Sequence, residues 1–121
     1  HYELAKELYS LRKKGVLIIG SGNMVHNLRM VAWDKISEPG FGYDWALKMN
    51  DTFKHYIVSG DFQPLIHYEQ LGAESRLAIP TPEHYLPLLY TLGLKGAGDN
   101  VSFFNDKAVA GSLTMTSVKL G

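Results

Sequence analysis

An uninterrupted aliphatic run, Val16-Leu17-Ile18-Ile19, stops on Gly20-Ser21-Gly22 and restricts this chain more than any other stretch. Consecutive β-branched and aliphatic residues bounded by glycine predict a strand buried on both faces. Such a strand requires neighbours on its edges and packed layers above and below, which points to an α/β architecture. The turn leads on into Asn23-Met24-Val25-His26. A histidine therefore stands near the end of the strand, where open α/β sheets bind ligands.

The rest of the chain supplies helices more readily than strands. Leu4, Ala5, Leu8 and Leu11 give Tyr2 to Lys14 a helical spacing, with Gly15 as the stop. Asn23 is placed to cap a short helix through Arg29, turning Val25, Leu28 and Val31 inward. Glu38 to Gly42 reads as a loop. Tyr43 to Ser59 reads as an amphipathic helix on Trp45, Met49, Phe53, Tyr56 and Ile57, closed by Gly60. A shorter helix is expected from Asp61 to Gly72, then a connector over Ala73 to Ile79. Pro80-Thr81-Pro82 forces extended geometry before a helix that runs to Leu92 and Gly93. After a turn at Gly96 to Asn100, the alternating segments Val101 to Asn105 and Ser112 to Lys119 predict an antiparallel pair. One parallel-type strand and a terminal pair are few for an independent sheet. The sheet is expected to be completed by residues outside this segment or by another chain.

With 121 residues, 45% of them hydrophobic, the chain can build one core and one domain. Twelve Lys and Arg balance twelve Asp and Glu, so charge favours neither nucleic acid nor an anionic membrane. The basic run Arg12-Lys13-Lys14 suits the end of the first helix. Cysteine is absent, which leaves no thiolate metal site, no disulfide and no cysteine nucleophile. No apolar run approaches the ~20 residues that span a bilayer; compartment does not follow from an absence, and the cytoplasm is taken as the expected location.

Chemistry concentrates on two histidines. The Gly20-Ser21-Gly22 loop is a poor dinucleotide fingerprint, because Val25 stands where a small residue is needed and no acidic ribose partner follows. His26, near the loop, is an acid or base available at neutral pH. By itself it is equally a core histidine satisfied by one carbonyl. Ser21 and Asn23 suit ligand contacts and turn formation alike. In Thr81-Pro82-Glu83-His84, threonine as N-cap and proline at the first helical position would set His84 in a first helical turn, where the dipole disfavours imidazolium. Neutral imidazole is the form that binds Fe(II) or Zn(II). Two histidines do not fill a catalytic metal site, which takes about three protein ligands. His55 is expected to be exposed, His67 flanks Tyr68 with no partner in sequence, and the tryptophans are expected to pack.

The blocks HYELAKELYSLRKKGVLIIGSGNMVHNLRMVAWD, AIPTPEHYLPLLYTLG and SLTMTSVKLG together resemble the class III extradiol ring-cleaving dioxygenases, in particular the DOPA 4,5-dioxygenase-like branch. The resemblance covers essentially the whole chain. It implies the C-terminal half of an α/β enzyme about twice this long, with a mononuclear Fe(II) or Zn(II) centre. It also implies that His84 is a metal ligand and that His26 lies at the metal as acid/base, in some members as a ligand. His1 would border the substrate pocket, together with Ser21 and Asn23. The implied partners are a catechol-type substrate, O₂ and the N-terminal half of the same protein, whose histidines would complete the metal site. The segment alone is then expected to be inactive.

Two further readings remain open on the residues. One is a non-catalytic half-domain or assembly module that pairs with another chain, as a homo-oligomer for example, through exposed sheet edges. The other is a zinc hydrolase built on the same two histidines, which O₂ consumption with a catechol would distinguish.

Overall fold

The computed structural model describes residues 1–121. Its order is helical first and β last, a mixed α/β arrangement in agreement with the expected class. The first helix is interrupted: α1 (Tyr2–Glu7) and α2 (Tyr9–Lys13) meet at Leu8. The long helix forms as its periodicity predicts. It is α3 (Asp44–Ser59), which buries Ala46, Met49, Asn50, Phe53 and Ile57 along one stripe. Gly60 ends it at φ +75°, a left-handed conformation that glycine adopts without a Cβ clash.

Three helix assignments change after α3. The single helix expected over Asp61 to Gly72 is instead α4 (Gln63–Ile66) followed by a 3₁₀ turn at Tyr68–Leu71. Pro64 falls in the first turn of α4, where its missing N–H is tolerated, and so fixes where the helix begins. The expected connector contains a helix, α5 (Ala73–Ala78), whose Ser75 and Ala78 are fully buried and which packs on α3. Tertiary burial drives this short helix, and no periodic signal announces it. The helix after Pro80 is α6 (Leu86–Gly93), which starts later than the Thr81-Pro82 pair suggests. The Thr81 hydroxyl donates to the Glu83 carboxylate at 2.6 Å instead of capping the backbone. Pro82 O accepts from the N–H groups of Tyr85 and Leu86, both at 2.9 Å, so a turn precedes the helix. Pro87 then lies in the first turn of α6.

The expected strand pair is present in part. β1 (Val101–Phe104) runs antiparallel to β4 (Ser117–Leu120), with Val101 opposite Leu120 and Phe104 opposite Ser117. The earlier part of the second predicted strand separates from it. β2 (Ala108–Val109) pairs with β3 (Leu113–Thr114) across a turn in which Ala110 and Gly111 both have positive φ.

The buried strand at Val16 to Ile19 is not formed. Leu17 and Ile19 are 81% and 79% exposed. No backbone N–H or C=O from Leu17 to Ser21 is hydrogen-bonded within the chain. Its apolar side chains have no second layer to cover them, and no adjacent strand in these residues pairs with it. The Asn23 helix is also absent. Asn27 instead caps a 3₁₀ turn at Leu28–Met30, its side chain accepting from the Arg29 N–H at 3.1 Å.

Phe53, Ile57, Leu65, Tyr85 and Leu92 form the centre of the core. The Tyr85 hydroxyl donates to the Leu65 carbonyl at 2.9 Å, and burial raises its pKa far above the ordinary phenol value. Tyr85→Phe would strand that carbonyl, a cost of about 1–2 kcal/mol. The expected result is a lower urea midpoint with an unchanged m-value. A midpoint equal to wild type would show that the bond contributes nothing.

A polar cluster ties α3 to the C-terminal hairpins. Lys54 donates to Asp106, whose carboxylate also lies 3.1 Å from Asn50 Nδ2 and 2.8 Å from Thr116 Oγ1. Partial burial opposes ionisation of Asp106, but the bonds from Lys54, Thr116 and Asn50 outweigh it and hold the carboxyl below its usual range. No helix is long and apolar enough to cross a membrane.

Candidate active site

The segment Gly20 to Asn27 is held by backbone bonds to three distant parts of the chain. The Asn23 N–H donates to the His84 carbonyl at 2.7 Å, and the His26 N–H to the Ala78 carbonyl at 2.9 Å. The Thr114 N–H donates to Val25 O at 3.1 Å, and Asn23 Nδ2 to Thr114 O at 2.7 Å. His26 itself bridges Leu113 in antiparallel fashion. The loop thus crosses between the approach to α6 and the β3 backbone. Neighbouring Asn27, 5% exposed, donates to Leu77 O at 2.9 Å and receives the Ser112 hydroxyl on its own carbonyl at 2.7 Å.

This arrangement stacks the His26 and His84 rings, with centroids 3.8 Å apart and planes 23° from parallel. The two histidines singled out in the sequence are therefore brought together. His26 is half-buried and His84 is exposed. Burial, then the neighbouring His84, hold His26 below the ordinary imidazole pKa, so it is predominantly neutral at pH 7. Glu83, beside them, is held low chiefly by the Thr81 hydroxyl, with both imidazoles adding to the effect.

Gly22 makes the close approach possible. A Cβ at this position would overlap the His84 carbonyl oxygen. Gly20 is similarly tight, since a Cβ there would lie 2.8 Å from Pro87 O and 2.9 Å from Thr91 Oγ1. The sequence marks these residues as turn-formers. Their role against the approach to α6 depends on a contact more than sixty residues away, which no local pattern reveals.

The other candidates are less closely involved. Asn23 is tied to His84 through its backbone and to Thr114 through its side chain. Ser21 is exposed next to the loop. His1 is exposed and sits against α6, with Nδ1 2.9 Å from the Tyr90 hydroxyl, apart from the His26–His84 pair's own contacts. His55 is exposed, as expected, and His67 is exposed too. The imidazole pair has donor chemistry suited to Fe(II) or Zn(II). It is a partial set, and no group of three His, Cys, Asp or Glu side chains converges in these residues.

A half-open groove of about 730 Å³ extends from this point. Its walls include the Val16 to Gly20 segment, His84, the start of α6 and β4.

No protein-family profile matches the chain. Individual proteins do. A protein of Escherichia coli K12 named 4,5-DOPA dioxygenase extradiol is 40% identical, aligned with 100% of this chain and 44% of its own length. Proteins of the same name from Beta vulgaris and Mirabilis jalapa are 28% and 31% identical over 98% and 79% of the chain. The crystal structure of an uncharacterized protein from Escherichia coli K12 superposes with a TM-score of 0.88 at 36% identity, covering all of this chain and 49% of that one. The chain spans less than half the length of the curated relatives it matches.

Proposed function

We propose, on the premise that this chain is a homologue of the 4,5-DOPA dioxygenase extradiol proteins, that it forms the C-terminal half of a dioxygenase acting on a catechol-type, DOPA-like substrate with O₂. The observation that carries the reading is the stacked His26–His84 pair, of which His84 lines a half-open groove. A mononuclear Fe(II) or Zn(II) would be held by His84 together with ligands outside these residues. Once bound, such an ion supplies a Lewis-acid site where catechol and O₂ meet.

Ring stacking supports different roles for the two histidines. Imidazole lone pairs lie in the ring plane, so two nearly parallel, face-to-face rings direct them side by side instead of to one point. His84, the more exposed of the two, is the ligand. His26, neutral and half-buried, is placed to take a proton from the catechol hydroxyl and return it as the ring opens. Asn23 fixes the His84 backbone, while Ser21 and His1 border the substrate.

The test uses the full-length protein, loaded with Fe(II) without oxygen and then given O₂ and a catechol. Oxygen uptake with a ring-opened product is expected. His84→Ala should lose bound metal by elemental analysis while remaining folded by circular dichroism. Full metal retention in His84→Ala, or no oxygen uptake by the loaded wild type, overturns the proposal.

A further inference from the structure

Val25, His26 and Asn27 run as a short extended strip between β3 and the end of α5. The Asn27 N–H donates to Ser112 O and the Thr114 N–H to Val25 O, both at 3.1 Å, so the two flanking residues face β3. His26 lies between them, opposite Leu113, and its N–H turns the other way, to Ala78 O. Such alternation is that of a strand with a neighbour on each side. Here the second neighbour is a helix terminus. α5 ends at Ala78, so Leu77 O and Ala78 O are among its last carbonyls, which have no partner inside the helix. The strip takes both of them, Ala78 O by the His26 N–H and Leu77 O by Asn27 Nδ2 at 2.9 Å.

Asn27 is the corner of this arrangement. It is buried, and its Oδ1 accepts from the Arg29 N–H at 3.1 Å. Its carbonyl accepts from the fully buried Ser112 hydroxyl at 2.7 Å and from the Met30 N–H at 3.1 Å. The His26 ring, by contrast, is stacked on His84 and receives no hydrogen bond from another side chain in these residues. A catalytic base is ordinarily oriented by a third group bonded to its ring. For His26 the backbone beneath the ring has that task. We propose that Asn27 is the positioning residue of His26: its bonds to α5 and to Ser112 fix the backbone from which the imidazole projects, and so hold that ring over His84. The ring geometry follows from these bonds alone, whereas its consequence for catalysis rests on the proposed function.

Two substitutions in the full-length protein separate this role from simple capping. Serine and aspartate both accept from the Arg29 N–H as caps. Serine, however, does not reach Leu77 O, and aspartate sets a carboxylate oxygen against it. Asn27→Ser and Asn27→Asp are expected to keep their metal and to lose kcat on the order of 100-fold, the effect of a misplacement of about 1 Å, with KM little changed. In the metal-free protein the His26 ring-proton resonances, displaced by the stacked His84 ring in the wild type, should move toward free-imidazole positions in both variants. Ile57→Val, a cavity in the core of α3, is the stability control, with a lower urea midpoint but wild-type kcat and ring resonances. If neither Asn27 variant folds, Ser112→Ala decides: a smaller shift in the same direction retains the inference, and unchanged ring resonances overturn it. Wild-type kcat and ring resonances in the Asn27 variants overturn it, as does a kcat loss that Ile57→Val reproduces. Displaced resonances in variants of a protein that consumes no O₂ would keep Asn27 as the residue that sets the pair and reject the enzymatic reading.

Discussion

Gly22→Ala in the full-length protein is expected to lower stability by about 2–4 kcal/mol, from overpacking and the loss of one backbone hydrogen bond. Gly22 does not occupy the left-handed region, so alanine is conformationally acceptable there. Space decides the outcome. The added methyl would overlap the His84 carbonyl oxygen, which belongs to the backbone and cannot rotate away. The loop must therefore retreat, and the 2.7 Å bond from the Asn23 N–H to that carbonyl breaks. Retreat also separates the stacked imidazoles, so turnover falls together with stability. Gly98→Ala is the control, because nothing lies within 4 Å of a Cβ there and its φ is not positive. It should be neutral or stabilising by about 0.4–1 kcal/mol. Equal urea midpoints for the two variants would show that the Gly22 contact is not a constraint.

His26→Ala is expected to lower kcat roughly 100- to 10,000-fold, the usual contribution of a positioned acid/base. Metal content should be kept, because the proposed reading gives the ligand role to His84 and not to His26. This separates His26 from His84, whose removal should cost the metal first. The pH profile adds a second readout. Burial and the neighbouring His84 depress the His26 pKa. Its base form therefore persists below the ordinary value of about 6.5, and the acidic limb of kcat/KM should fall below that pH. A His26→Ala enzyme with wild-type kcat, or one that loses metal as completely as His84→Ala, would contradict the assignment.

What could be read from the sequence follows the range of the forces involved. The long helix was legible because burial at Met49, Phe53 and Ile57 repeats within a single element. The pairing of Val101 to Phe104 with the C-terminal strand was legible from alternation. α5 was not, because six residues carry little periodicity and its packing partner α3 lies elsewhere. The helix start at Thr81-Pro82 misled for a local reason: the threonine hydroxyl found the Glu83 carboxylate before the backbone. Val16 to Ile19 has the composition of a strand, but the buried strand expected there does not form, because nothing in these residues pairs with it. Both site histidines could be singled out, but their stacking could not, since it depends on Gly22 meeting a carbonyl far along the chain.

The bonds that fix the histidine loop also bear on when the site can form during synthesis. Asn23 contacts Thr114 across 91 positions, and the Asn27 carbonyl meets Ser112 across 85. The loop must therefore wait for β3, 91 positions further along the chain, before its geometry is set. Contacts of such wide separation carry the largest loop-closure cost and form slowly. The α3 stripe can collapse on local contacts, whereas the imidazole pair assembles only after β3 has been made. Slow, late ordering of His26 next to an already compact helical layer is the folding signature this topology imposes.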